Sequence, residues 1–286
     1  MKGVKQERRV TTRYGHQMRV PADDYISDAI IKDGIFDLTG VELLRCILQK
    51  IPQAIVLDIG ANIGNHAIAI SPYCAQLYCF EIHPELTSLL QDNLRLNQLK
   101  QAHVFAFGLS DKNKMMPVYI DNTGNLGRST VEQSLQSARN SEKMAQVRRG
   151  DDVLAEHSVS KVDLIKIDIE GHEIMALLGL QQTIVKHRPI IVAEWNNDVT
   201  RAYFRKMNCE TSLFADYKMV GVVNRLERIF WQGKLMRGFR RNIFKRTRKD
   251  AWQPVLVDFN FDYHYDNIII FPNEKTNFLE GLSRHF

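Results

Sequence analysis

Along the chain, short apolar runs alternate with segments whose apolar residues recur at helical spacing, the signature of a parallel sheet wrapped by helices. The pattern predicts a helix over residues 41–50, a buried strand over 54–59 and, after a glycine-containing turn, a helix from about Asn65. A second strand, 76–81, stops at His83-Pro84, and 85–96 then places Leu86, Leu89, Leu90 and Leu94 on one helical face. A third strand is expected near 103–107. The polar stretch 111–150 reads as a connection, with a turn at Asn122, Gly124, Asn125 and Gly127 and a candidate helix over 131–144. A strand over 162–169, a helix over 172–186 and a strand over 190–194 follow. The runs 217–223 and 267–271 are predicted to form an antiparallel pair closing one edge. The expected organisation is an amino-terminal extension with a first helix, 1–50, followed by one doubly wound α/β domain over 51–286.

Composition changes this picture little. With 44% hydrophobic and 25% charged residues among 286, the chain is neither disordered nor collagen-like nor a disulfide scaffold. Its four cysteines lack CxxC spacing, and three lie in apolar runs, as expected for packed thiols in a reducing compartment. Residues 1–20 hold no apolar run of signal-peptide length, and no run of eighteen apolar residues occurs anywhere, so a cytoplasmic, non-spanning protein is expected. The net charge of +5 is concentrated late: residues 225–249 carry ten Lys or Arg against one acid, Glu227, interleaved with large apolar side chains. This basic amphipathic insert fits peripheral contact with an anionic membrane, a patch for an acidic polymer, or a solvated edge hairpin. Nucleic acid is not expected, since no recognised binding motif accompanies the charge.

The strongest chemical signal is Val56-Leu57-Asp58-Ile59-Gly60-Ala61-Asn62-Ile63-Gly64-Asn65, a buried strand ending in a glycine turn at the start of a helix. Glycines let the backbone bend sharply and approach a ligand beyond the strand ends. The G-x-x-x-G spacing departs from the G-x-G-x-x-G of a dinucleotide site, and no GK[ST] is present, so NAD and nucleoside triphosphates are disfavoured. Asp58 would repel phosphate and suits a cationic or zwitterionic ligand. Glu81 ends the next strand, where an acid accepts hydrogen bonds from ribose hydroxyls in such folds, implying a nucleoside. Separately, these features also read as a structural turn and a solvated cap.

The runs LDIGANIGNHAIAIS, CFEIHPE, LRLN, GLSD, VDLIKIDIEGHE and PIIVAEWN, in that order over residues 26–196, resemble the FkbM family of S-adenosylmethionine-dependent methyltransferases. The resemblance implies a Rossmann-like class I methyltransferase, with a mostly parallel seven-stranded sheet and one antiparallel edge strand. It also implies O-methylation of a hydroxyl on a glycan, glycolipid or small metabolite. Carried over, Asp58, Gly60, Asn62 and Gly64 would surround the methionine part of S-adenosyl-L-methionine, with Glu81 on the ribose. Ile82 and the turn from Gly108 through Leu109 and Ser110 to Asp111 would flank the adenine, and Asp168, Glu170 and His172 would line the reacting end.

Strand alternation puts Asp168 and Glu170 on one side at a strand's carboxyl end, making Asp168 the first candidate for base or acceptor-orienting group, with Glu170 and His172 as alternates. Helix capping competes as a role for Glu170 and is the better reading of Glu173. Paired carboxylates could hold a divalent cation, but HExxH and CxxC spacings are absent and no metal ligand is assigned. Asn125, Arg128 and Ser129 in the polar loop, and Glu194 at a strand end, are the candidate acceptor contacts. Two rivals remain: an NAD-dependent or nucleotide-sugar oxidoreductase on a similar sheet, and a non-catalytic scaffold using 225–249. Neither the acceptor's identity nor the oligomeric state is legible.

Overall fold

The computed structural model describes residues 7–22, 24–121, 126–136, 140–224 and 253–278. The insert at 225–249 and the candidate acceptor contact Asn125 lie outside the described residues. The chain opens with a hairpin of β1 (Glu7–Thr11) and β2 (Gln17–Pro21), then helices α1 (Tyr25–Asp33) and α2 (Leu38–Leu48). There follow β3 (Ala54–Ile59), α3 (Asn65–Ile70), β4 (Cys74–Phe80), α4 (Pro84–Leu96) and β5 (Ala102–Phe105). A three-stranded sheet comprises β6 (Gly108–Ser110), β7 (Lys114–Asp121) and β8 (Asn140–Arg149). The chain continues through α5 (Gly150–Glu156), β9 (Leu164–Ile167), α6 (Glu173–Gly179), α7 (Gln181–His187) and β10 (Ile190–Trp195). It ends with α8 (Asp198–Lys206), α9 (Cys209–Ser212), β11 (Tyr217–Asn224), β12 (Pro254–Asp258) and β13 (Tyr265–Pro272).

The main sheet has the order β12-β11-β13-β10-β9-β3-β4-β5. β3, β4, β5, β9 and β10 run parallel. β13 pairs antiparallel with both β10 and β11, and β12 pairs antiparallel with β11. The sheet therefore has eight strands rather than seven and two reversed ones, β12 at the edge and β13 inside: the chain adds β12 outside β11 before β13 slots between β11 and β10. The antiparallel pairing of 217–223 with 267–271 is present as expected.

Alternation along the parallel strands feeds two cores. Val56, Leu164 and Val192 pack on one face, while Leu57, Ile59, Ile165, Ile167, Ile191 and Ala193 pack on the other. With both faces covered, the strands need the near-continuous apolar runs seen in the sequence, and each buried aliphatic stabilises the fold by roughly 1.5–3 kcal/mol. α4 starts on Pro84 at its first position, with His83 Nδ1 accepting the Glu85 N–H at 3.2 Å, and buries the predicted Leu86, Leu89, Leu90 and Leu94. The amino-terminal hairpin docks on the same helix: Asn93 Oδ1 accepts from Arg19 N at 2.7 Å, and Met18 and Val20 are fully buried.

Two elements differ from expectation. The candidate helix over 131–144 is instead one 3-10 turn at Gln133–Leu135 and the start of β8. Its apolar positions alternate across the strand, with Met144 exposed and Val147 buried. The helix over 172–186 breaks at Leu180 into α6 and α7. Gly179 sits where a Cβ would stand 2.0 Å from the Ser110 carbonyl oxygen, so the end of α6 is pressed against β6.

Candidate active site

The order of strands reverses between β3 and β9, and the crevice at such a switch point is where α/β sheets take ligands. A cavity of about 1100 Å³ opens there. It is lined by Gly60, Asn62, Glu81, Ile82, Leu109, Ser129, Asp168, Glu170, His172 and Glu194 among the sequence-predicted residues. Residues of α1 and of the 35–40 loop, with Arg128, Lys166, Asn224 and Asn267, complete the wall.

The glycine turn is tied to its neighbours on both sides. Gly60 N and Ala61 N donate to the Phe80 carbonyl at 2.9 and 3.0 Å. Gly60 has φ of 80°, and a Cβ on it would lie 1.9 Å from the Asp168 carbonyl oxygen, so glycine is required by conformation and by contact. Asn62 also occupies the left-handed region, with φ of 51°, and its N–H donates to Glu81 Oε2 at 2.8 Å. Glu81 Oε1 accepts from His83 N at 2.8 Å. Each carboxylate oxygen thus holds one backbone donor, which fixes the carboxylate in the cavity wall. Burial raises the Glu81 pKa, and these two hydrogen bonds oppose the rise.

Three predicted cofactor contacts do not reach the cavity wall. Asp58 is fully buried beneath the turn, 3.3 Å from Lys166 Nζ. Gly64 faces α4, where a Cβ would meet Leu90 Cδ1 at 2.9 Å, so it serves packing. Ser110 is fully buried and engaged with His172 Nε2 at 2.9 Å.

Lys166 was not singled out from sequence, although it lies two residues before Asp168 on the same side of β9. Its Nζ donates to the Gly60 carbonyl at 3.0 Å and lies 3.9 Å from Asp168 Oδ2. Burial acts to lower its pKa, but Asp58 and Asp168 outweigh that effect and raise it.

Beyond β9, Glu170 has φ of 53°, a strained conformation for a residue with a side chain. Burial, with the charges of Asp168 and Glu173, raises its pKa to about 7. Burial, then Asp168, Glu173 and Glu170, pushes Glu194 well above the usual carboxylate range. Glu194 Oε1 accepts from Asn196 Nδ2, while its buried Oε2 has no hydrogen-bond partner among the described residues. Three carboxyl groups therefore share the reacting end under mutual repulsion.

His172, the alternate base of the sequence reading, is held at both ring nitrogens. Its Nδ1 pairs with Glu132 and its Nε2 with Ser110, so neither ring nitrogen is left for a substrate proton. Glu132 also accepts from Tyr203 OH at 3.1 Å, and Thr130 Oγ1 donates to the Glu170 carbonyl at 2.7 Å. The 126–136 segment thereby grips the acidic loop, and no sequence signal links Glu132 to a residue forty positions later. Glu173 caps locally, accepting from Ile169 N and Gly171 N at 3.0 and 3.1 Å. Ser129 and the exposed Arg128 line the cavity, and the Arg128 charge acts to lower the Glu170 pKa. Among the described residues no three His, Cys, Asp or Glu side chains are grouped to hold a metal ion. No helix among them is long and apolar enough to cross a membrane.

Comparison with known proteins identifies the family. Residues 58–219 match the family described as methyltransferase FkbM domain. The 2-O-methyltransferase NoeI of Sinorhizobium fredii (strain NBRC 101917 / NGR234) is 29% identical over 157 residues, 50% of this chain and 63% of NoeI. The hexuronic acid methyltransferase AglP of Haloferax volcanii is 26% identical over 169 residues, 55% of this chain and 64% of AglP. The chain thus spans slightly under two thirds of the length of these relatives. The crystal structure of methyltransferase FkbM from Methylobacillus flagellatus KT aligns over 77% of this chain and 43% of its own, with 17% identity and a TM-score of 0.45. Since the family match covers more than half of the 286 residues, including the glycine turn, Glu81 and the acidic loop, the chain belongs to the FkbM methyltransferase family.

Proposed function

We propose that the chain is an S-adenosyl-L-methionine-dependent O-methyltransferase acting on a hydroxyl of a glycan, glycolipid or small metabolite. The observation that carries this reading is Glu81: a carboxylate just after the strand beside the glycine turn, lining the cavity, with each oxygen held by one backbone N–H. That arrangement fits the paired hydroxyls of a ribose. Ile82 and Leu109 supply an apolar wall suited to adenine, and the acids beyond β9 suit a cationic group. When bound, the cofactor supplies an electrophilic methyl group on a sulfonium, open to in-line displacement by oxygen.

The chain's own residues would do the rest. Glu170, with a pKa near neutrality, takes the proton of the acceptor hydroxyl. Asp168, beside the Lys166 ammonium, accepts a hydrogen bond that orients the same hydroxyl. Glu194, whose pKa burial and its acidic neighbours push up, contacts an acceptor oxygen. Ser129 and Arg128, in the segment that grips the acidic loop, line the cavity and contact the acceptor.

Titration calorimetry with S-adenosyl-L-methionine tests the reading. Wild type should bind in the micromolar range, and Glu81→Ala should weaken binding by roughly tenfold or more, the loss expected for a charged hydrogen-bond acceptor. Unchanged affinity in Glu81→Ala would remove the ribose assignment. Incubating cell extracts with the enzyme and methyl-labelled cofactor, then following the label by mass spectrometry, identifies the acceptor.

A further inference from the structure

The cavity has one more acidic group, Asp37, contributed by the amino-terminal segment. Asp58 is buried on Lys166 and presents nothing to a ligand. Asp37 does line the cavity. It caps α2 from the left-handed region, with φ of 47°. Its Oδ1 accepts from Gly40 N at 3.0 Å and its Oδ2 pairs with His66 Nε2 at 3.2 Å. Gly40 is needed at that point, because a Cβ would stand 2.0 Å from Asp37 Oδ2. The preceding residue is clamped as well: Asn65 Oδ1 accepts from Phe36 N at 3.1 Å, and Asn65 Nδ2 donates to the Phe36 carbonyl at 2.9 Å. The carboxylate is thus fixed while 24% of its side chain stays open. Burial acts to raise its pKa, but the His66 and Gly40 hydrogen bonds hold it below the usual value.

The placement of Asp37 within the cavity matters more than its charge alone. Glu81, Ile82 and Leu109 lie toward β4, the ribose and adenine side of the proposed function. Asp37 lines the same cavity. It is bonded to His66 on α3, it feels the Lys166 charge, and a Cβ on Gly40 would lie 3.1 Å from Asn267 Nδ2 on β13. Glu81, Gly60 and Asp37 line one cavity, so a nucleoside seated on Glu81 shares that space with Asp37. On the cofactor reading, that nucleoside carries an amino acid bearing an ammonium group. We propose that Asp37, oriented by His66, receives this α-ammonium, the part that the resemblance gives to Asp58 and the neighbouring turn. The inference rests on the cofactor reading above.

Calorimetry on the full chain separates the two. The probes are S-adenosylhomocysteine and 5′-methylthioadenosine, which keeps the nucleoside and thioether but lacks the amino-acid end. Asp37→Asn should weaken S-adenosylhomocysteine on the order of tenfold to a hundredfold while leaving methylthioadenosine within roughly twofold. His66→Gln should show a smaller loss confined to the same ligand. Equal affinity of wild type and Asp37→Asn for S-adenosylhomocysteine would overturn the proposal. So would parallel loss of both ligands in both variants, which would make the pair a structural clamp. Failure of wild type to bind either probe would refute the cofactor reading itself, and this inference with it.

Discussion

At the scale of single residues, the cavity gathers side-chain-bearing residues held in the left-handed region: Asp37, Asn62 and Glu170 all line it. Such strain persists only where surrounding contacts over-determine it, and here those contacts come from Gly40 and His66, from Glu81, and from Thr130. Glu170 combines that strain with a pKa of about 7, which gives a signed prediction. Its folded pKa is above the unfolded value, so its contribution to stability is fully present below the unfolded pKa and is lost as pH rises through about 7. Glu170→Gln should therefore raise stability by about 1–3 kcal/mol near pH 8 and leave it unchanged near pH 4, read by chemical denaturation. As a base, the same residue must be ionised, so methyl transfer should increase through neutral pH and fall by roughly tenfold or more in Glu170→Gln. A variant with no pH-dependent gain in stability would show that Glu170 titrates normally.

At the scale of elements, the ends of β3 and β9 are joined by Lys166, which bridges the Gly60 carbonyl, Asp58 and Asp168. Removing it leaves Asp58 buried without its cation, so Lys166→Met should destabilise the fold by about 3–5 kcal/mol. Urea unfolding with less than about 1 kcal/mol of change would show that water replaces the ammonium. The parallel strands and α4 were legible in sequence because burial on both faces demands continuous apolar runs and helical leucine spacing. The β7–β8 hairpin was not, because a half-exposed strand among polar residues carries few apolar positions, and Met144 faces outward. The break between α6 and α7 depends on the approach of Gly179 to Ser110, a tertiary contact with no local trace. The motif residues Gly60, Glu81, Asp168 and Glu170 were readable from their order. Glu132 and Asp37 were not, since each reaches the cavity through partners distant in sequence, His172 and His66. In sequence an acid beside a glycine turn looks the same whether it faces a ligand or, as Asp58 does here, a buried lysine.

At the scale of the whole molecule, the doubly wound sheet sets the chemistry by position. The turn after β3, Glu81 after β4, the acids after β9 and Glu194 near the end of β10 all converge at the switch point. The amino-terminal helices close the same cavity rather than standing apart, with Ile26, Ile30, Leu43 and Leu44 in the core cluster that packs on Val56 and Val192. The cavity of about 1100 Å³ exceeds the lower range of small-ligand pockets, consistent with room for a nucleoside cofactor and an acceptor together. A crystal structure of the full chain with S-adenosylhomocysteine tests this arrangement most directly. Both ribose hydroxyls should be found on the Glu81 carboxylate, with the sulfur over Gly60 and directed toward Asp168 and Glu170. A nucleoside bound with its ribose away from Glu81, or seated in another cavity, would contradict the account.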